Sequence, residues 1–424
     1  MIGFAGLTHL GFVSSLASAD KGFDVIGYDP RKATIDGIAA GRFEVSEPGL
    51  ESLYARAKPR VTFSADPAAL AGCSVVYIAV DVPTSPDGRS DVAPVRELVT
   101  SVAQAVRPGT ILVILSQVHP GFTRQLTPAV EAFGCTLMYQ VETLIFGRAI
   151  ERALHPERFI VGCADPAAAL PSALRSYLDA FGCPVLPMRF ESAELAKIAI
   201  NMFLVSSVST TNMLAEICEH VGASWSEIAP ALRLDARIGP KAYLGPGLGI
   251  GGSNLGRDMA TVEMLAAEHG TDVELVRAWR SNSRYRRDWA LRVLHARMPA
   301  STRIIAVWGL AYKEDTHSTF NSPAVELLGA LRPFALRVHD PVASRPAALD
   351  GFDLTVTASP LEACEGADVL AIMTAWPQFR AVEAHEIARR LRTRLVIDPF
   401  GVLPERACGE AGLIALRLGD GTPS

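Results

Sequence analysis

"MIGFAGLTHLGFVSSLASADKGFDVIGYD", residues 1–29, decides the fold class. "MIGFAG" is a strand, the stretch from Thr8 to Gly22 has helical spacing, and "FDVIGYD" is a second strand that closes on an acid. Strand, helix and strand within about 30 residues make a beta-alpha-beta unit. The turn after the first strand reads "GLTHLG", with Gly6 and Gly11 at the outer positions of a GxGxxG dinucleotide fingerprint and Thr8 at the middle one. The middle glycine normally lets the backbone approach a pyrophosphate seated on the helix N-terminus, so Thr8 is expected to crowd it. Asp29 stands where an acid accepts bonds from ribose hydroxyls and repels a 2′-phosphate, which favours NAD over NADP; Arg31 nearby works against that preference. A plain tight turn is the other reading, and the strand–turn–helix context with Asp29 favours the dinucleotide.

Outward from this unit, strand-like runs recur at "CSVVYIAV", "GTILVILS", "TLMYQV" and "ERFIVGCAD", separated by amphipathic segments. That alternation predicts a doubly wound parallel sheet. From residue 189 to 235 the apolar residues fall at helical spacing with no proline before Pro230, which predicts a long helix and then a shorter one. Helical text resumes from about 257 to 298. A second alternation runs through "TRIIAVWGLAYK", "ALRVHDP", "DVLAIMT" and "RLVIDPF". The expected architecture is α/β, with two Rossmann-like doubly wound parallel-sheet domains at 1–188 and 299–424 joined by a central helical domain at 189–298.

Bulk properties narrow the partners. A chain of 424 residues needs two or three domains, and clefts between domains suit small molecules. Forty basic against forty-five acidic residues, without blocks of one sign, leave no nucleic-acid footprint. The purely apolar runs are strand-length, short of the roughly 20 residues of a membrane span, and "MIGFAGL" has neither a basic leader nor a separate apolar region, so export is not expected. Seven scattered cysteines without CxxC spacing argue against a zinc site or disulfide framework and for a reducing cytoplasm. No metal is expected.

Two further stretches carry chemistry. "ELAKIAIN" places Lys197 and Asn201 four apart on one face of an otherwise apolar helix, where an inward lysine needs an anionic partner or a developing oxyanion. Asp258 is a candidate partner. "LGPGLGIGGSNLGRD", 244–258, leads five glycines, Gly245, Gly247, Gly249, Gly251 and Gly252, into Ser253 and Asn254. Together with "SQVHPGFT" (116–123), "RIGP" (237–240), "GLAYKEDT" (309–316), "NSPA" (321–324) and "TAWPQFR" (374–380), the pattern resembles the UDP-glucose/GDP-mannose dehydrogenase family along nearly the whole chain.

The resemblance implies NAD as cofactor, a nucleotide sugar as substrate with UDP as the favoured carrier, a homodimer, and oxidation at C6 of the hexose. It implies that Lys197 stabilises alkoxide or oxyanion charge, that Asn201 orients the sugar, that Asp258 positions water or assists proton transfer, and that Glu142 is the acid/base. Cofactor contacts would come from Gly6, Thr8, Gly11, Asp29, Val80, Pro83, Ser116 and Arg257. Substrate contacts would come from Gly249, Gly251, Gly252, Ser253 and Lys313, with Arg237 reaching across a dimer interface.

The departures are as informative. Asn254 stands where the family has a nucleophilic cysteine; an amide has no ionisable nucleophile near neutral pH, whereas a thiol ionises readily in favourable surroundings. Phe146 replaces a second glutamate, Val141 a proline, Phe320 and Phe400 two arginines, and Gln117 follows Ser116 in place of threonine. One reading is an oxidoreductase limited to two-electron alcohol/carbonyl redox or redox-neutral chemistry, with four-electron oxidation through an aldehyde hydrate as a variant. The other is a non-catalytic subunit that binds NAD and a nucleotide sugar.

Overall fold

The apolar runs are the inner strands of two sheets. In the computed structural model, which describes residues 1–85 and 88–421, the first sheet contains β1 (Ile2–Ala5), β2 (Val25–Tyr28), β3 (Val61–Ser64), β4 (Val75–Ile78), β5 (Ile111–Ile114), β6 (Thr136–Gln140), β7 (Phe159–Cys163) and β8 (Val185–Arg189). Their order is β3-β2-β1-β4-β5-β6-β7-β8. Pairing is parallel except at one step, β6 against β7, where Tyr139 faces Gly162 in antiparallel register. Every residue of β1, β4 and β5 is buried, because helices cover both faces of the sheet. Phe4 and Tyr77, stacked at 5.1 Å, point into a core shared with Phe12 and Leu16 of helix His9–Asp20. Val76, Ile78 and Leu112 point the other way, toward Val95 and Val99 of helix Ala93–Ala105.

The second sheet contains β9 (Ile304–Trp308), β10 (Ala335–His339), β11 (Leu354–Val356), β12 (Val369–Ile372), β13 (Leu395–Ile397) and β14 (Ile414–Leu416). It is wholly parallel, in the order β11-β10-β9-β12-β13-β14. That is the 3-2-1-4-5-6 order of a dinucleotide fold, and it repeats the first six strands of the other sheet. The likeness extends to single bonds: Gly6 N–H donates to Tyr28 O and Leu7 N–H to Asp29, and Gly309 N–H donates to His339 O and Leu310 N–H to Asp340.

Between the sheets in sequence come helices Phe190–Val221, Trp225–Leu234, Asn254–His269, Glu274–Arg287 and Trp289–Arg297. The chain divides into two compact units, Met1–Ile200 and Asn201–Ser424, so most of the helical segment falls in the unit that holds the second sheet. The divide lies inside the 32-residue helix Phe190–Val221. This helix is long and apolar enough to cross a membrane by length and composition alone, although polar residues interrupt its apolar ones. Two of its buried polar residues are nonetheless bonded to other elements: Glu194 accepts from Gly121 and Thr123 N–H, and Asn212 accepts from Gly247 N–H.

Arg286 is the largest buried charge in the second unit. Its guanidinium lies 3.2 Å from both Glu216 and Glu219 of the long helix, and Glu219 also accepts from Trp289 Nε1 and Gly419 N–H.

Candidate active site

Each unit carries its own cluster of the expected residues. In the first, the turn after β1 needs its glycines for different reasons. Gly6 has φ +90°, and a Cβ there would lie 2.9 Å from Val80 N; one on Gly11 would lie 1.8 Å from Gly6 O. Thr8 needs no glycine: it caps helix His9–Asp20 in extended conformation, and its hydroxyl donates to Ala79 O at 3.1 Å. The first turn of that helix has no acidic residue and no side-chain cap, which leaves its N–H groups suited to an anion. These features fit the pyrophosphate of a dinucleotide. Val80 and Ser116 adjoin the turn, with Ser116 Oγ donating to Val80 O, while Pro83 O accepts from Asp91 N–H. Asp29 is buried and accepts from Leu7 N–H at 2.9 Å and from Arg31.

The loop after β6 holds Glu142. One carboxylate oxygen accepts from Leu144 N–H, and the other lies 3.3 Å from Lys197 Nζ. Lys197 and Glu142 are mostly shielded, with side chains 14% and 19% exposed. The anionic partner of Lys197 named by this geometry is Glu142. Within the second unit, Asp258 accepts from Asn201 Nδ2 at 2.5 Å and faces Arg257 Nε at 3.6 Å.

Glu47 was silent in the sequence, since nothing at that position announces a partner a hundred residues away. Its buried carboxylate accepts from Gly147 and Ala149 N–H and meets His9 Nε2 at 2.7 Å, while Phe146 packs its ring 4.3 Å from that of His9. It thus ties the start of the first helix to the loop that carries Glu142. Burial alone would raise the Glu47 pKa, but the His9 bond and the two N–H groups outweigh it and lower the pKa below its ordinary 4.5. A depressed carboxylate stabilises above its unfolded pKa and stops doing so as pH falls through the folded one. Amide-exchange protection at Gly147 and Ala149 is therefore expected at neutral pH and is lost as the medium is acidified below about 4.5; protection that persists unchanged to about pH 2 would refute the latch.

In the second unit the glycine loop precedes helix Asn254–His269. Three of its glycines, Gly249, Gly251 and Gly252, stand against neighbouring residues that a side chain would meet. A Cβ on Gly249 would lie 2.4 Å from Ser283 O, one on Gly252 would lie 2.8 Å from the Tyr312 ring, and one on Gly251 would lie 3.1 Å from Tyr312 Cβ. Gly245 and Gly247 face open space. Ser283 Oγ accepts from Ile250 N–H at 2.7 Å, Arg287 donates to Ile250 O and Asn321, and Asn321 Nδ2 donates to Gly252 O at 3.3 Å. Ser283, Arg287 and Tyr312 are thus supporting residues that sequence reasoning did not single out.

Asn254 is exposed in the first turn of its helix, with Ser253 Oγ 3.4 Å from its amide oxygen. Asp258 and Arg257 are buried one turn further on. Lys313 is half-buried in the segment after β9, beside Tyr312. Arg237 lies apart, forked onto Asp235 with its side chain 89% exposed. Phe320 is exposed, whereas Phe400 packs against the second core, so that replacement fills apolar space.

All seven thiols are unpaired, and burial pushes each of them up, Cys73 to about 11 and Cys364 to about 12.

Comparison with known proteins matches three stretches to the UDP-glucose/GDP-mannose dehydrogenase family: the NAD binding domain over residues 1–178, the central domain over 191–284 and the UDP binding domain over 306–405. The chain is 31% identical to a UDP-glucose 6-dehydrogenase of Rhizobium meliloti, covering 93% of each chain. It is 28% identical to UDP-glucose 6-dehydrogenase TuaD of Bacillus subtilis, over 99% of this chain and 93% of that one. Among solved structures, a UDP-glucose dehydrogenase from Pyrobaculum islandicum superimposes with a TM-score of 0.83 at 29% identity, covering 95% of this chain and 94% of the other.

Proposed function

The chain belongs to the UDP-glucose/GDP-mannose dehydrogenase family, and from that premise we propose that it acts on a UDP-sugar and stops at the two-electron step, alcohol to carbonyl, or returns the electrons to the same substrate. The observation that carries this reading is the pairing of Asn254 at the end of the glycine loop with seven thiols raised by burial. Without a thiolate there is no thiohemiacetal, and therefore no covalent route to the acid.

Glu142 and Lys197 support the step that remains. The Glu142 carboxylate takes the proton of the substrate hydroxyl, and the Lys197 ammonium stabilises the alkoxide left behind. NAD, when bound, accepts the hydride from the carbinol carbon. Gly6, Gly11 and the uncapped first helical turn would hold its pyrophosphate, and Asp29 its ribose. Asn201 and Asp258 form the polar pair proposed to orient the sugar.

The test is a purified-protein assay with NAD and a panel of UDP-, GDP- and CDP-sugars, following NADH and product mass. At most one NADH per sugar, with a carbonyl or epimeric product, is expected for a UDP-sugar. Two NADH and an acid would overturn the two-electron limit, and no change in any sugar would overturn catalysis.

A homodimer belongs to the same proposal. Helix Phe190–Val221 exposes Phe203 and, at helical spacing, Met213, Leu214, Ile217 and Val221. An apolar stripe of this kind favours an isologous contact, which would also give Arg237 a partner site. Sedimentation at micromolar concentration is expected to give twice the chain mass, and a single-chain mass would reject it. The unpaired cysteines support a reducing compartment, the cytoplasm.

A further inference from the structure

Asp29 and Asp340 hold the same place in the two sheets, directly after β2 and β10, and each accepts the N–H of the residue that follows the glycine of its turn. Their other lone pairs differ in what fills them. Asp340 also accepts from the N–H groups of Ala311, Val342 and Ala343 and from Trp376 Nε1, donors fixed by backbone or by a buried ring. Asp29 accepts from Arg31 N–H at 3.0 Å and then from the Arg31 guanidinium, through Nε at 3.1 Å and Nη2 at 3.3 Å.

A carboxylate offers about four acceptor positions. Asp29 is therefore full, and two of its four bonds come from a side chain that is 52% exposed. Asp340 is a closed latch, whereas Asp29 is capped by an exposed cation. That cation has a second carboxylate within reach: Glu44 Oε2 lies 3.3 Å from Arg31 Nη1, and Glu44 also accepts from Thr34 Oγ1.

We propose that Arg31 is a displaceable cap on the ribose acid and that Glu44 is the carboxylate that receives it. When NAD binds, the guanidinium leaves Asp29 to the adenosine ribose hydroxyls and passes wholly to Glu44. Glu44 thereby sets specificity. It neutralises Arg31, a cation beside Asp29 that a 2′-phosphate could recruit, so Arg31, which by sequence argued for NADP, is turned to the service of NAD. The inference rests on the dinucleotide site at Gly6, Gly11 and Asp29.

Calorimetric titration of NAD and NADP into the full chain tests it without reference to catalysis. Arg31→Ala is expected to bind NAD about two- to fivefold more tightly, because no exposed ion pair has to be broken. Glu44→Gln is expected to raise the NADP-to-NAD affinity ratio about tenfold, because the guanidinium becomes available to a phosphate. Weaker NAD binding by Arg31→Ala, or an unchanged ratio in Glu44→Gln, would overturn the proposal. Failure of the unaltered protein to bind NAD would be a different result: it would reject the dinucleotide site itself. Both residues are surface-exposed, and unchanged melting temperatures will show that the variants are folded.

Discussion

Replacing Lys197 with alanine is expected to lower kcat by about 10²–10³-fold, the usual cost of removing one preorganised oxyanion donor, while NAD affinity stays the same. The Lys197 ammonium lies 3.3 Å from Glu142, and both side chains are largely withdrawn from water. In such surroundings a charge opposite a developing alkoxide is worth far more than at the surface. The loss falls on kcat because the interaction is made with charge that exists only in the transition state. Lys197→Arg is not expected to rescue the rate, since a planar fork cannot place its charge as a compact ammonium does. Stopped-flow measurement of NADH formation, alongside calorimetric NAD binding, separates the effects. A variant within threefold of the original rate would remove Lys197 from the mechanism.

The largest effect on stability is expected at Arg286. Arg286→Ala leaves Glu216 and Glu219 without the fully buried guanidinium that bridges them, and breaking a buried pair by removing one partner costs about 3–5 kcal/mol. In a unit of this size that lowers Tm by on the order of 10 °C. The damage should spread to the glycine loop, because helix Glu274–Arg287 also presents Ser283 and Arg287 to Ile250. Faster amide exchange at Ile250 is expected to accompany the drop. A Tm shift below about 2 °C would show that the remaining donors to the two glutamates, Tyr285, Arg292, Trp289 and the Gly419 N–H, carry the cluster without Arg286.

Which strands could be read from sequence follows a physical rule. β1, β2, β4, β5, β6 and β7 of the first sheet, and β9, β10, β12 and β13 of the second, all lie in the interior and show as apolar runs. The four strands that went unread, β3, β8, β11 and β14, are the four edges. Their residues are half-exposed or exposed, and polar residues break the apolar text of "VTFS" and "LTV", while β8 and β14 are short and carry Pro187 or only three residues. The single antiparallel step at β6 and β7 was equally hidden, because strand direction depends on how the connection returns rather than on composition.

The site divides along the same line. Sequence by itself determined the α/β class, the two dinucleotide-type folds, the family, and the identity of the groups available for chemistry: Lys197, Glu142, Asn201, Asp258, and Asn254 in place of a thiol. Those are properties of residue type and local order, which periodicity and motif spacing record. Only the tertiary structure decided which group answers which. It brought Glu142 to Lys197 and, in the other unit, Asn201 to Asp258, set Gly249, Gly251 and Gly252 against Ser283 and Tyr312, and placed Glu47 beneath a loop a hundred residues away. Hydrogen bonds and ion pairs form between whatever side chains the fold brings within about 3 Å, and that distance is set by packing of elements remote in the chain.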